Sequence, residues 1–113
     1  MVARGEVWWA SLAHPRGSEP GFERPVVIVQ DDRFNKSKLS TVVVATITSN
    51  LQRAEAPGNV RLTRRESGLP RESVVNVTQV SAIDRADLQK RSRKLPAERM
   101  RDIDNGLRLV LNL

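Results

Sequence analysis

Apolar and polar positions fall into two regimes along this chain. Up to residue 80 the apolar side chains come in short, β-branched runs. Glu6–Leu12 (EVWWASL), Arg24–Gln30 (RPVVIVQ) and Thr41–Thr48 (TVVVATIT) have the length and composition of strands. The last two are apolar on both faces, which predicts central strands covered on both sides. Val60–Thr63 predicts a shorter, more polar strand. Ser73–Val80 (SVVNVTQV) alternates, placing Val75 and Val77 on one face and Asn76 and Thr78 on the other. After Pro96 the period changes. Met100, Ile103, Leu107 and Val110 or Leu111 recur at helical spacing and predict an amphipathic helix over Ala97–Leu111. Gly106 lies inside it and weakens it by about 1 kcal/mol relative to Ala. Shorter helical pieces are expected at Asp31–Ser37 and Arg85–Arg91.

Strands first and helices last make an α+β or small-barrel pattern. Two connections interrupt the strands, Ala13–Glu23 (AHPRGSEPGFE) and Asn50–Asn59 (NLQRAEAPGN). The first is longer than a hairpin needs, and long loops on β scaffolds often carry function. Trp8 and Trp9 are adjacent, so a strand sends them to opposite faces. One is expected in the core and the other at a dimer or groove contact; neither is assigned to a bound ligand.

The chain has 113 residues, enough for one domain spanning 1–113. At 39% its apolar fraction suits a thin core that a second subunit completes. Cysteine is absent, which excludes thiolate catalysis and cysteine metal sites, and His14 is the sole histidine, which excludes a multi-histidine site. No apolar stretch approaches the ~18 residues of a membrane span. Residues 1–6 lack a signal-peptide core, so a soluble, cytoplasmic protein is expected. Net charge is +6, divided as +1 over residues 1–60 and +5 over residues 61–113. A basic second half points to a polyanion or an acidic protein partner, or simply to a solvated surface. Aromatics are only 4% of the chain, so few bases could be held by stacking platforms, which counts against an RRM-like or OB-like binder that works by base stacking.

A set of short matches then runs the length of the chain. Gly17-Ser18-Glu19, Gly21, Arg24-Pro25-Val26-Val27-Ile28-Val29 and Asn35 come in order. Gly5-Glu6-Val7-Trp8 precedes them, and Val44–Ser49, Gly68-Leu69, Ser73–Val80, Ile83-Asp84, Leu88 and Leu95 follow. Together these resemble the MazF/PemK toxins. Each piece alone is weak; this many in order is specific. The resemblance implies a small, SH3-like β-barrel, strongly bent and mainly antiparallel, with short helices and a C-terminal helix near a homodimer contact. It also implies a type II toxin that cuts single-stranded RNA, sequence-specifically and without metal or other cofactor. A cognate antitoxin with a disordered acidic tail would fold into its groove.

The implied chemistry is attack of a ribose 2′-OH on the adjacent phosphorus, giving 2′,3′-cyclic phosphate and 5′-OH ends. It needs a base, a donor for the leaving oxygen and positive charge for the phosphorane. Arg24, at the entry to a buried strand, offers a permanently charged fork of donors. The resemblance assigns it charge stabilisation and proton donation, and assigns Thr48 a contact at the scissile phosphate, with Ser49 assisting. Glu19 matches an acidic residue of the family's loop and could act as base or hold Arg24 by an ion pair. Ser18 stands where a plasmid-encoded relative has histidine. Thr78, before Gln79, stands where many relatives are acidic, and Asn76 where one plasmid relative has arginine. The general base of those relatives therefore does not transfer. Ser18, Asn76, Thr78 and Gln79 remain RNA-binding candidates. Arg61 and Arg64 join them from a basic stretch that includes Arg65 and Arg71; such a stretch could track phosphates or keep an edge strand from aggregating.

Two other readings use the same fold. A CcdB-type gyrase poison would carry a C-terminal Trp-Gly-Ile, whereas this chain ends Leu111-Asn112-Leu113. An RNA-binding barrel with a degenerate site is the third.

Overall fold

The computed structural model describes residues 2–12 and 22–113. Six strands form one antiparallel sheet. They are β1 (Glu6–Leu12), β2 (Phe22–Ile28), β3 (Thr41–Thr48), β4 (Val60–Leu62), β5 (Ser73–Asp84) and β6 (Leu88–Lys94). Their order across the sheet is β4-β5-β3-β2-β1-β6. The sheet is curled into a half-barrel whose two edges, β4 and β6, are not hydrogen-bonded to each other. A short helix, α2 (Arg64–Ser67), spans the gap: Ser92 Oγ donates to Ser67 O at 2.8 Å and Arg93 to Arg65 O at 3.0 Å.

β2 and β3 are central and covered on both faces, as their composition predicts: Val26, Val27, Ile28, Val42, Val44 and Ala45 are all fully buried. Alternation divides these residues between two cores. Val7, Val27, Ala45, Ile47, Val75 and Val77 pack with Leu62, Leu69 and Ile103 under the C-terminal helix α3 (Ala97–Leu111). On the opposite face of the sheet Ala10, Val26, Ile28, Val42 and Val44 pack with Trp8, Leu12 and Ile83.

Curvature comes from a break in β5. Val80 pairs with Ala45, yet the next residue of β3, Thr46, pairs with Asn76, so three residues of β5 leave the ladder. Such a bulge bends and twists the strand that carries it. Asn59 fills the gap. Its side-chain oxygen accepts from Val77 N at 2.9 Å, and its amide donates to Arg53 O and to Asn76 Oδ1. Asn76 is consequently buried rather than sharing an open polar face with Thr78, which is exposed.

The predicted helix at Arg85–Arg91 is not formed. One 3-10 turn, Arg85–Asp87, leads straight into β6. The tertiary setting overrides local preference here: β1 needs a second neighbour, and β6 supplies it from Glu6↔Lys94 to Ala10↔Leu88. β2 also starts and ends two residues earlier than expected, because Val29 and Gln30 both donate to Val43 O as the chain turns. The turn is held by a buried amide pair. Gln30 Nε2 donates to Asn35 Oδ1 and Asn35 Nδ2 to Gln30 O, each at 2.9 Å, within and beside α1 (Asp32–Asn35). Asn35, a signature position, is thus a structural clamp. No helix among the described residues is long and apolar enough to cross a membrane.

Candidate active site

β2 and β3 are hydrogen-bonded through Ile28↔Val44, Val27↔Ala45 and Val26↔Thr46. Continued two residues further, that register would set Arg24 opposite Thr48. The ladder stops short instead, and the strands part. A pocket of about 300 Å³ occupies the split, lined by Arg24 and Pro25 from β2 and by Ile47, Thr48 and Ser49 from the end of β3. Trp9 of β1, which pairs with Pro25, adds to it, and the segment Leu69, Pro70, Arg71 and Ser73 closes the far side.

Local chemistry fixes each wall. Arg24 is exposed but sits one residue from Pro25 and two from fully buried Val26, so its Cα is anchored at the pocket. Thr48 is half-buried; its Oγ1 accepts from Asn50 N at 3.2 Å, which orients the hydroxyl and leaves its proton for an incoming acceptor. The far wall follows from α2. Thr63 and Glu66 form a capping box at its start, and Gly68, with φ at +74°, turns the chain at its end. A Cβ at Gly68 would lie 2.5 Å from Ser92 Oγ, so glycine is required there twice over. Leu69 N then donates to Ser67 Oγ, and Ser73 Oγ to Arg71 O, bracing the segment at both ends.

The described lining holds two arginines, hydroxyls from Thr48, Ser49 and Ser73, and no carboxylate. Arg71 makes no ion pair among the described residues. Two guanidiniums beside donor hydroxyls suit an anion, and a phosphodiester in particular.

The other sequence-derived candidates lie elsewhere. Arg61, on β4, is paired with Glu72 at 3.1 Å and borders a different groove, against α3. Arg64 is exposed on α2. Asn76 is taken by Asn59, and Gln79 Oε1 accepts from Thr46 Oγ1 at 2.7 Å; with Thr78 they lie at the β5 bulge, outside the pocket lining. Ser18 and Glu19, like His14, are outside the described residues. Sequence reasoning did not place Trp9, Pro25, Leu69, Pro70 or Ser73 at the site, and read Arg71 only as part of a basic stretch. The Leu69-Pro70-Arg71 segment follows the left-handed glycine cap, which is the signal that could have marked it as a turn back toward the sheet.

Residues 3–111 match the family of PemK-like, MazF-like toxins of type II toxin–antitoxin systems. The chain belongs to this family. Among relatives of this PemK/MazF-type toxin, one from Mycobacterium bovis named endoribonuclease MazF2 is 46% identical over the whole chain and 99% of its own length. One from Mycobacterium tuberculosis named endoribonuclease MazF6 is equally similar, with the same coverage. The fold is also that of a solved mycobacterial endoribonuclease in complex with its cognate antitoxin, with a TM-score of 0.81 at 20% identity. That match covers 100% of this chain and 97% of the other.

Proposed function

We propose that this endoribonuclease toxin of a type II toxin–antitoxin system cuts single-stranded RNA in the split between β2 and β3. The observation that carries the reading is the pocket beyond the last β2–β3 pair, Val26↔Thr46, which Arg24 and Thr48 both line. The ribose 2′-oxygen attacks phosphorus as its proton passes to a base. The bond from phosphorus to the 5′-oxygen breaks, and that oxygen takes up a proton. The products are a 2′,3′-cyclic phosphate and a 5′-OH. Arg24 neutralises the phosphorane oxygens and donates toward the leaving oxygen, while the Thr48 hydroxyl donates to a non-bridging oxygen. Ser49 assists. Glu19 remains the candidate base or partner of Arg24. No metal enters the scheme, and cleavage is sequence-specific and inhibits translation.

The protein acts as one domain in the cytoplasm, as a homodimer. Support for the dimer is the apolar end of α3, where Leu109, Leu111 and Leu113 are 62%, 53% and 85% exposed. An antitoxin's acidic tail occludes the pocket, drawn by Arg24 and Arg71.

The deciding experiment is cleavage of a long single-stranded RNA in EDTA by wild type and by Arg24→Ala. Discrete fragments with 5′-OH ends from the wild type alone are expected, with Arg24→Ala slower by on the order of 10³-fold. Intact RNA with concentrated wild type, freed of antitoxin, would discard the nuclease reading.

A further inference from the structure

The pocket has two unlike halves. Arg24, Arg71 and the hydroxyls of Thr48 and Ser49 form a cationic, donor-rich side. Trp9, Pro25, Leu69 and Pro70 form an apolar side that a phosphate does not need. The two tryptophans differ in what they do. Trp8 packs against the core on the opposite face and its Nε1 donates to Glu6 at 3.0 Å. Trp9, partly buried like Trp8, packs against the core under α3 but also lines the pocket, and its indole N–H has no hydrogen-bond partner among the described residues.

We propose that the apolar half is a nucleobase subsite, in which the base next to the scissile phosphate stacks on Trp9 with Leu69 and Pro70 as its side wall. This rests on the reading of the same pocket as a nuclease site. A single nucleic-acid strand presents an anion and a flat ring in every repeat, and the pocket offers an arginine pair and an aromatic surface side by side. Every base has a π-face, so stacking holds the substrate in place, while the closeness of Leu69 and Pro70 selects which ring fits. The free indole N–H supplies one donor for a base carbonyl. An apolar side chain of a protein partner would fill the wall but would have no use for the two guanidiniums beside it.

The test uses single strands of deoxynucleotides, which lack the nucleophilic 2′-OH and survive binding. Short oligonucleotides of each base, and an abasic deoxyribose-phosphate chain of the same length, are titrated into wild type and Trp8→Phe. In the latter, Trp9 is the only tryptophan. Base-bearing strands are expected to quench Trp9 emission and to bind roughly 5- to 150-fold more tightly than the abasic chain. Trp9→Leu should lose that advantage and relax the nucleotide preference beside the cut on a long RNA, whereas Trp9→Phe retains most of both. Equal affinity for abasic and base-bearing strands, with Trp9 emission unchanged, would overturn the subsite and leave the apolar wall to a protein side chain. The titration reads binding alone, so a nuclease failure in EDTA is separable from failure of the stacking platform.

Discussion

At the scale of single residues, hydrogen bonds tell apart a polar group that faces the pocket, Thr48, from one that holds the scaffold, Glu6. Thr48 keeps its proton for a ligand because its oxygen is already an acceptor for Asn50. Thr48→Val preserves shape and β-propensity but removes the donor. Cleavage should fall by about 10²-fold with the thermal midpoint little changed, as single-turnover assays and melting curves would reveal. Glu6 belongs to the scaffold. Burial raises its carboxyl pKa, but hydrogen bonds from Trp8, the Ala3 backbone and Arg91 outweigh burial and leave it below the ordinary carboxylate value. A group with a depressed folded-state pKa stabilises the native state above its unfolded pKa. That contribution is lost as pH falls through the folded value. Wild type should therefore exceed Glu6→Gln in denaturant midpoint at neutral pH, and the gap should close below about pH 4. A gap that is constant with pH would assign the effect to packing instead.

At the scale of elements, α3 exposes the limits of local reasoning. Its apolar period was legible and its bounds, Ala97–Leu111, follow from the sequence. Gly106 looks like a defect by helix propensity alone. In the fold it is buried against the turn at Gly58, and an added Cβ would lie 2.1 Å from Gly58 O. Gly106→Ala gains about 1 kcal/mol of helix propensity and meets an overpacking cost of about 1–3 kcal/mol. A backbone oxygen is the atom in the way, so the cost should prevail and the urea midpoint should drop. A higher midpoint would mean that α3 shifts outward without penalty. The same division runs through the rest of the chain. β3 was readable to the residue because its β-branched run, TVVVATIT, ends at Ser49 and Asn50, and β1 because Val7, Trp8 and Trp9 sit in a short run that follows Gly5. β6 was not, because LQKRSRK has no strand pattern and becomes a strand only by pairing with β1. The family signature points to Arg24 and Thr48, which line one pocket. Trp9 and the Leu69–Arg71 wall are not legible that way, since they join the pocket through the pairing of Trp9 with Pro25 and through the α2 cap rather than through any spacing along the chain.

At the scale of the molecule, the pattern of exposure argues for a second copy. Two cores bury apolar side chains from each of β1 to β5, yet Leu109, Val110, Leu111 and Leu113 remain outside at one end of α3. The helix also ends in an αL cap at Asn112, which holds this apolar end in a fixed shape: Leu113 N and Asn112 N both donate to Arg108 O. A rigid apolar patch of this kind is more costly to leave in water than a frayed one, and it is the sort of surface that marks an interface. Leu111→Lys discriminates. On a monomer, at a site 53% exposed, such a change should alter stability by no more than about 0.5 kcal/mol. In a symmetric dimer the substitution places two lysines in one apolar contact, because the same patch appears on both subunits. Sedimentation of the wild type should report a dimer, Leu111→Lys a monomer, and the concentration dependence of the melting midpoint should vanish in the variant. If both proteins sediment as monomers with the same midpoint, the exposed end of α3 has no second copy to meet. Cleavage adds a last distinction: Arg24 and Thr48 line the pocket of a single subunit, so a folded Leu111→Lys monomer that still cuts RNA would show that the split between β2 and β3 is complete without its partner.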